Sequence, residues 1–112
     1  MQWKTEIDTA RNRIAKYVVQ TPVFQSSGLG LDFPIELKLE HLQHTGSFKA
    51  RGAFNTLLST NVPAAGVVAA SGGNHGAAVA YAARSLGHRA SIFVPELAGP
   101  AKIALIERTG AD

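Results

Sequence analysis

The sequence contains no cysteine in its 112 residues, which excludes disulfides, thiolate nucleophiles and Cys-rich zinc sites and is compatible with a reducing cytoplasm. It has no apolar run long enough to cross a bilayer, and Met1-Gln2-Trp3-Lys4-Thr5-Glu6 lacks the apolar core of a secretory signal. Charge is sparse and scattered: Arg11, Arg13 and Lys16 fall in the first predicted helix, Lys49 and Arg51 mid-chain, Arg84 and Arg89 later. A net charge of +3 spread this way lacks the basic stripe with interleaved aromatics that marks a nucleic-acid binder. Internal repeats and low-complexity stretches are also missing. With 46% apolar residues, the sequence predicts a globular chain with a core of its own, in the cytoplasm, with neither nucleic acid nor membrane as partner.

Ile7, Ala10, Ile14, Ala15 and Val18 recur at helical spacing and predict an amphipathic helix from about Thr5 to Val19, ended by Thr21-Pro22. Ile35 to Glu40 alternates apolar and charged side chains, as a strand with one wet face does. A polar loop over 41–46 follows, and Ser47 is placed to cap a helix reaching Ser59. From there the order is strand (67–70), helix (74–86, stopped by Gly87), strand (90–94), helix (100–109, opened by Pro100 and ended by Gly110). That alternation predicts an α/β fold with an open parallel sheet wrapped by helices. Two short parallel strands make a poor sheet alone, and the chain stops at Ala111-Asp112 where another strand is expected. It therefore reads as a truncated fold.

Two segments carry chemistry. In Thr45-Gly46-Ser47-Phe48-Lys49-Ala50-Arg51-Gly52, Lys49 falls in the first turn of a helix. The positive end of the helix dipole, aided by partial burial, favours the neutral amine that forms a Schiff base with an aldehyde cofactor. Taken alone, Lys49 also reads as an ordinary solvated lysine. In Ser71-Gly72-Gly73-Asn74-His75-Gly76, glycines between a strand and a helix let backbone N–H groups converge on an anion at the carboxyl edge of the sheet. Alone, it equally fits a plain strand-to-helix turn. Other patterns are thinner. Gly28-Leu29-Gly30 lacks the third glycine of a dinucleotide fingerprint. His41 and His44 have no convincing third metal ligand, so no metal is expected. Trp3 and Tyr17 are expected to pack or to anchor a terminus.

Together the segments are more specific. Lys-Leu-Glu-His-Leu-Gln at 38–43 with Thr-Gly-Ser-Phe-Lys-Ala-Arg-Gly-Ala at 45–53 resembles the cofactor-lysine segment of the threonine/serine dehydratase and serine racemase family of pyridoxal-phosphate enzymes. Ser-Gly-Gly-Asn-His-Gly at 71–76 resembles that family's substrate-carboxylate loop, and Thr21-Pro22-Val23 and Pro95-Glu96 fall where the family has similar segments. The resemblance spans nearly the whole chain but only the N-terminal third or so of a family member. It implies the three-layer fold of tryptophan synthase beta-like enzymes (fold type II), with residues 1–60 beginning the large cofactor domain and 61–112 the small domain.

The resemblance implies pyridoxal 5'-phosphate as cofactor and a small amino acid as substrate, in a full-length homo-oligomer. Lys49 would bind the cofactor and move the Cα proton, Phe48 would pack beside the cofactor, and Asn74 would hydrogen-bond its ring oxygen. Ser71, with the backbone of Gly72, Gly73, Asn74 and His75, would hold the substrate carboxylate. The implied reaction is β-elimination from L-threonine or L-serine, giving a 2-oxo acid and ammonia. Family racemases carry a second serine directly after the one matching Ser71. Here that position is Gly72, which has no proton to give, so elimination is favoured over racemisation, and Gly72→Ser is the change that would supply the hydroxyl. The competing readings are another enzyme of the same fold type, a serine racemase or threonine synthase, and a non-catalytic fragment, because the family's glycine-rich phosphate loop and pyridine-nitrogen partner have no counterpart here.

Overall fold

The helical spacing of Ile7, Ala10 and Ile14 is realised as α1, Trp3–Ile14, in the computed structural model, which describes residues 2–112. The helix is shorter than its apolar pattern predicts. A turn closed by the Tyr17 N–H on the Ile14 carbonyl (2.8 Å) ends it early. Of its apolar residues only Ile14 is buried, and Trp3 and Ile7 stay exposed, so Trp3 does not anchor the terminus. Tyr17 does pack, stacking on Phe54 with ring centres 5.3 Å apart.

The alternation at 35–40 becomes β2, Ile35–Lys38. Its partner is a strand that periodicity did not announce, β1, Val23–Ser26, paired antiparallel with Val23 opposite Lys38 and Ser26 opposite Ile35. This hairpin projects from the rest: Val23, Phe24, Leu29 and Phe33 are all exposed. The projection helps explain a radius of gyration of 16.1 Å, where a compact chain of this length would have about 13 Å.

Helix α2, Lys49–Ser59, buries Ala50, Ala53, Phe54 and Leu57. Then β3 (Val67–Ala70) and β4 (Ala90–Phe93) pair in parallel, Val67 opposite Ala90, through the crossover helix α3, Asn74–Ser85, as the alternation predicts. Helix α4, Pro100–Glu107, opens on its proline. The backbone of Asp112 then lies along β4, bonding the Ala90 carbonyl (3.0 Å) and the Ile92 N–H (2.6 Å). The parallel sheet thus begins a further row beyond β4.

The core centres on α3. Six of its residues are alanine or glycine buried at under a tenth exposure, and Val79 joins them. Such small side chains let α2, α4 and the sheet approach closely on different sides. Its end is held by Gly87 (φ 77°): the Gly87 N–H donates to Arg84 (3.1 Å) and the His88 N–H to Ala83 (2.8 Å), which satisfies carbonyls that the helix leaves unpaired. The other sheet face is open: Val68 is 70% and Phe93 66% exposed. No helix among the described residues is long and apolar enough to cross a membrane.

Candidate active site

The segment leading to Lys49 is fixed by polar contacts that periodicity could not reveal. Two single 3-10 turns, Glu40–Leu42 and His44–Gly46, replace the predicted loop, with buried Gln43 between them. The Gln43 side chain accepts from the Val19 N–H (2.9 Å) and the His44 N–H (3.1 Å) and donates to the Val19 carbonyl (2.8 Å). Glu40 grips Arg51 with both oxygens (2.7 and 2.9 Å) and accepts from the Thr21 hydroxyl. Lys38 donates to the Thr21 carbonyl. Residues 19–21 are thereby tied to both the turns and α2. The Arg51 guanidinium holds the Glu40 carboxyl at about 2 against an ordinary 4.5, more than offsetting burial, with help from Thr21 and Lys38. Arg51 is correspondingly raised, chiefly by its hydrogen bond to Glu40.

Next the chain reverses at two left-handed residues, Thr45 (φ 62°) and Gly46 (φ 74°). The Thr45 hydroxyl is buried without a hydrogen-bond partner among the described residues. The N-cap position of α2 falls to Phe48, with no side-chain cap bond, and not to Ser47, whose hydroxyl makes only a long contact with the Lys49 N–H (3.4 Å). Lys49 opens α2 and is exposed, so the burial expected of it is not found. Its Nζ lies 5.1 Å from the centre of the exposed Phe48 ring and has no hydrogen-bond or ion-pair partner among the described residues. His44, whose metal role looked weak, stacks on Tyr81 of α3 (ring centres 4.8 Å), with Nδ1 3.1 Å from the tyrosine hydroxyl.

The second segment lies at the carboxyl ends of β3 and β4. The Ser71 N–H donates to the Phe93 carbonyl (2.9 Å), and the Ser71 hydroxyl accepts from the Gly73 N–H (3.2 Å). Helix α3 starts at Asn74 with no side-chain cap. The N–H groups of Asn74, His75 and Gly76 therefore have no partner within the helix. They point outward at its positive end. Gly76 is required by close approach: a Cβ there would lie 2.5 Å from the Ser71 carbonyl oxygen and 3.0 Å from Ile92.

A cavity of about 330 Å³ between α2 and α3 brings Phe48, Lys49 and His75 together, with Thr56, Leu57 and Val79 among its walls. Ser71, Gly72, Gly73 and Asn74 share the turn with His75 but do not line that cavity. Glu40, Gln43 and Thr21 lie in segments that the resemblance covers without assigning them a role, and no motif singles out Tyr81. The available signals were modest: a Glu and a Gln three apart beside the lysine motif, and one aromatic residue in an alanine-rich helix.

Residues 14–112 match the model of a family described as pyridoxal-phosphate dependent enzyme. The chain belongs to that family. Among relatives of this pyridoxal-phosphate enzyme chain is a protein of Sinorhizobium fredii named putative threonine dehydratase, 46% identical over 109 residues, 94% of this chain and 33% of the relative. The solved T.th. threonine deaminase superposes with a TM-score of 0.86 at 44% identity, over 96% of this chain and 35% of that one. Maize serine racemase superposes at 0.90 and 37% identity, over 96% and 34%. The fold is accordingly that of these fold type II enzymes, and the chain spans about a third of the length of the relatives it matches.

The residues present fit the reactive end of pyridoxal phosphate, the family's cofactor. Lys49 offers a primary amine engaged by no ion-pair partner among the described residues, beside an aromatic ring and on the wall of a cavity. The Gly28-Leu29-Gly30 segment offers the phosphate no cradle. Gly28 and Gly30 form only an exposed bend closed on itself, the Gly30 N–H bonding the Gly28 carbonyl (2.6 Å).

Proposed function

We propose that this chain supplies the cofactor lysine and the substrate-carboxylate turn of a pyridoxal-phosphate-dependent ammonia-lyase acting on L-threonine or L-serine. The observation that supports the reading best is one cavity lined by Phe48 and Lys49 from α2 and by His75 from the start of α3. Residues 1–60 then belong to the large cofactor domain and 61–112 begin the small one, with the substrate bound where they meet.

When bound, pyridoxal phosphate serves as the electron sink for the pair left when the substrate Cα loses its proton. Lys49 Nζ would bind the cofactor and then take that proton from Cα, while Phe48 would pack beside the ring and Asn74 would hydrogen-bond its oxygen. At the turn, the N–H groups at the start of α3 and the Ser71 hydroxyl bind the substrate carboxylate. Ser71 can do this because it is engaged as an acceptor from Gly73, leaving its own proton to donate. The Cα proton and the β-hydroxyl leave as water, and water then replaces the amino group to give the 2-oxo acid and ammonia.

Racemisation demands proton delivery from a second face, and Gly72 has no group to provide it; elimination is the reading this chain favours over that of its serine racemase relative. The test is borohydride reduction of the cofactor-loaded protein, peptide mapping of the adduct, and ammonia release from L-threonine and L-serine. An adduct on Lys38 or Lys102 with Lys49 unmodified would end the reading. D-serine formed faster than 2-oxo acid would reassign the reaction.

A further inference from the structure

We propose that the loop Pro95–Ala98 is a specificity-determining wall of the Ser71–Asn74 turn, seated through the missing side chain of Gly72 and closing that position to any catalytic group. The proposal rests on the reading of this turn as the substrate-carboxylate site. An ideal Cβ at Gly72 would meet the Ala98 Cβ at 2.8 Å, Pro95 Cδ at 2.9 Å and Pro95 Cγ at 3.0 Å. Two of these atoms belong to a proline ring, which cannot rotate away, and the third sits directly on the backbone. A side chain at 72 therefore has to move the loop rather than a flexible neighbour.

The loop has its own reasons to stay. It leaves the end of β4, whose Phe93 carbonyl already holds the Ser71 N–H (2.9 Å), and it is turned back by the Ala98 N–H on the Pro95 carbonyl (2.9 Å). Gly99 and Pro100 then commit it to α4. Ala98 and Gly72 are half-buried against each other, whereas Leu97, at the loop's tip, is 99% exposed. The wall is thus anchored at both ends and seated at Ala98, with its tip in solvent.

The consequence reverses the expectation attached to Gly72→Ser. A serine Oγ needs room beyond the Cβ, and the Cβ alone already overlaps the loop. Adding the hydroxyl removes the wall before it supplies a proton. One-faced chemistry here is enforced by packing as well as by the missing group.

The full chain separates these ideas. Acetate, as a bare carboxylate, is titrated against the ¹⁵N-labelled protein while the amides of Gly73 and His75 are followed, and the exchange rate of the Ala98 amide reports the wall. The cofactor-loaded full-length enzyme that carries this segment is assayed in parallel for KM and kcat with L-serine. Gly72→Ala is expected to speed Ala98 exchange, weaken acetate binding and raise KM about tenfold. Gly72→Ala combined with Ala98→Gly and Pro95→Ala, which removes the three overlapping atoms, is expected to restore acetate binding and KM. Gly72→Ala with unaltered exchange and KM would overturn the proposal, since the loop would not be seated there. Weakened binding that the combined variant fails to restore would overturn it too, because the new methyl would then obstruct the ligand itself. Absence of lyase activity in every form, with the acetate and exchange results as expected, would refute the proposed reaction and leave the wall standing.

Discussion

Replacing Glu40 by glutamine keeps the size and removes the charge that holds Arg51. The fall of the Glu40 carboxyl from 4.5 to about 2 corresponds to roughly 3.4 kcal/mol between charge states. The Arg51 side chain is 32% exposed and that of Glu40 17%, so solvent screening reduces the net contribution to about 1–2 kcal/mol. Because the folded carboxyl is depressed, that stability is present in full above about 4.5 and is lost as pH falls through about 2. Urea titrations of the parent and Glu40→Gln should therefore differ by about 1–2 kcal/mol at pH 7 and by less than roughly half of that at pH 3. Arg51→Ala should cost more than Glu40→Gln, since it leaves a half-buried carboxylate without its main partner. An identical gap between parent and Glu40→Gln at both pH values would refute the reasoning, for the carboxylate would then contribute nothing through its charge.

Lys49→Ala should abolish the borohydride-trapped adduct and all ammonia release, whereas Arg51→Ala should keep a trappable Lys49 adduct while lowering stability; equal residual turnover in the two would contradict the assignment. Gly76→Ala should cost at least about 2–3 kcal/mol by denaturant unfolding, because its Cβ would press on the Ser71 carbonyl, and a loss under about 0.5 kcal/mol would show that the turn gives way freely. The 112-residue chain alone should bind pyridoxal phosphate weakly and turn over little L-threonine, since the amides at the Ser71 turn are the ones proposed to hold the substrate carboxylate and the cofactor phosphate needs several converging donors of its own. Micromolar affinity in the visible absorbance band, with sustained ammonia release, would contradict that.

Much of the second half was legible in the sequence because its signals are local. Glycine after Leu86, proline at 100 and a run of alanines bounded by short apolar strands specify a βαβα order without reference to distant residues, and the strand bounds at 67–70 are those observed. The first half was read less well. Strand β1 has a largely exposed side-chain pattern and gains its identity from pairing with residues a dozen positions away. Glu40 looked like the wet face of a strand, yet its role comes from Arg51 and Thr21, and Gln43 is buried because it matches the backbone of Val19. Motifs placed Lys49 at the start of a helix, but its exposure follows from what packs around α2 and has no local signature.

The open face of the parallel sheet bears on how the chain behaves in a test tube. Val68 and Phe93 lie diagonally across neighbouring strands, on the face opposite Ala69 and Ile92. A patch of this kind is sticky, and β3, paired only with β4 among the described residues, borders it with an open edge. Covering that face in any self-association of the isolated 112 residues removes apolar area from water and couples folding to concentration. Its melting temperature should rise as the solution is made more concentrated and fall on dilution, while Phe93→Ser should make it nearly independent of protein concentration.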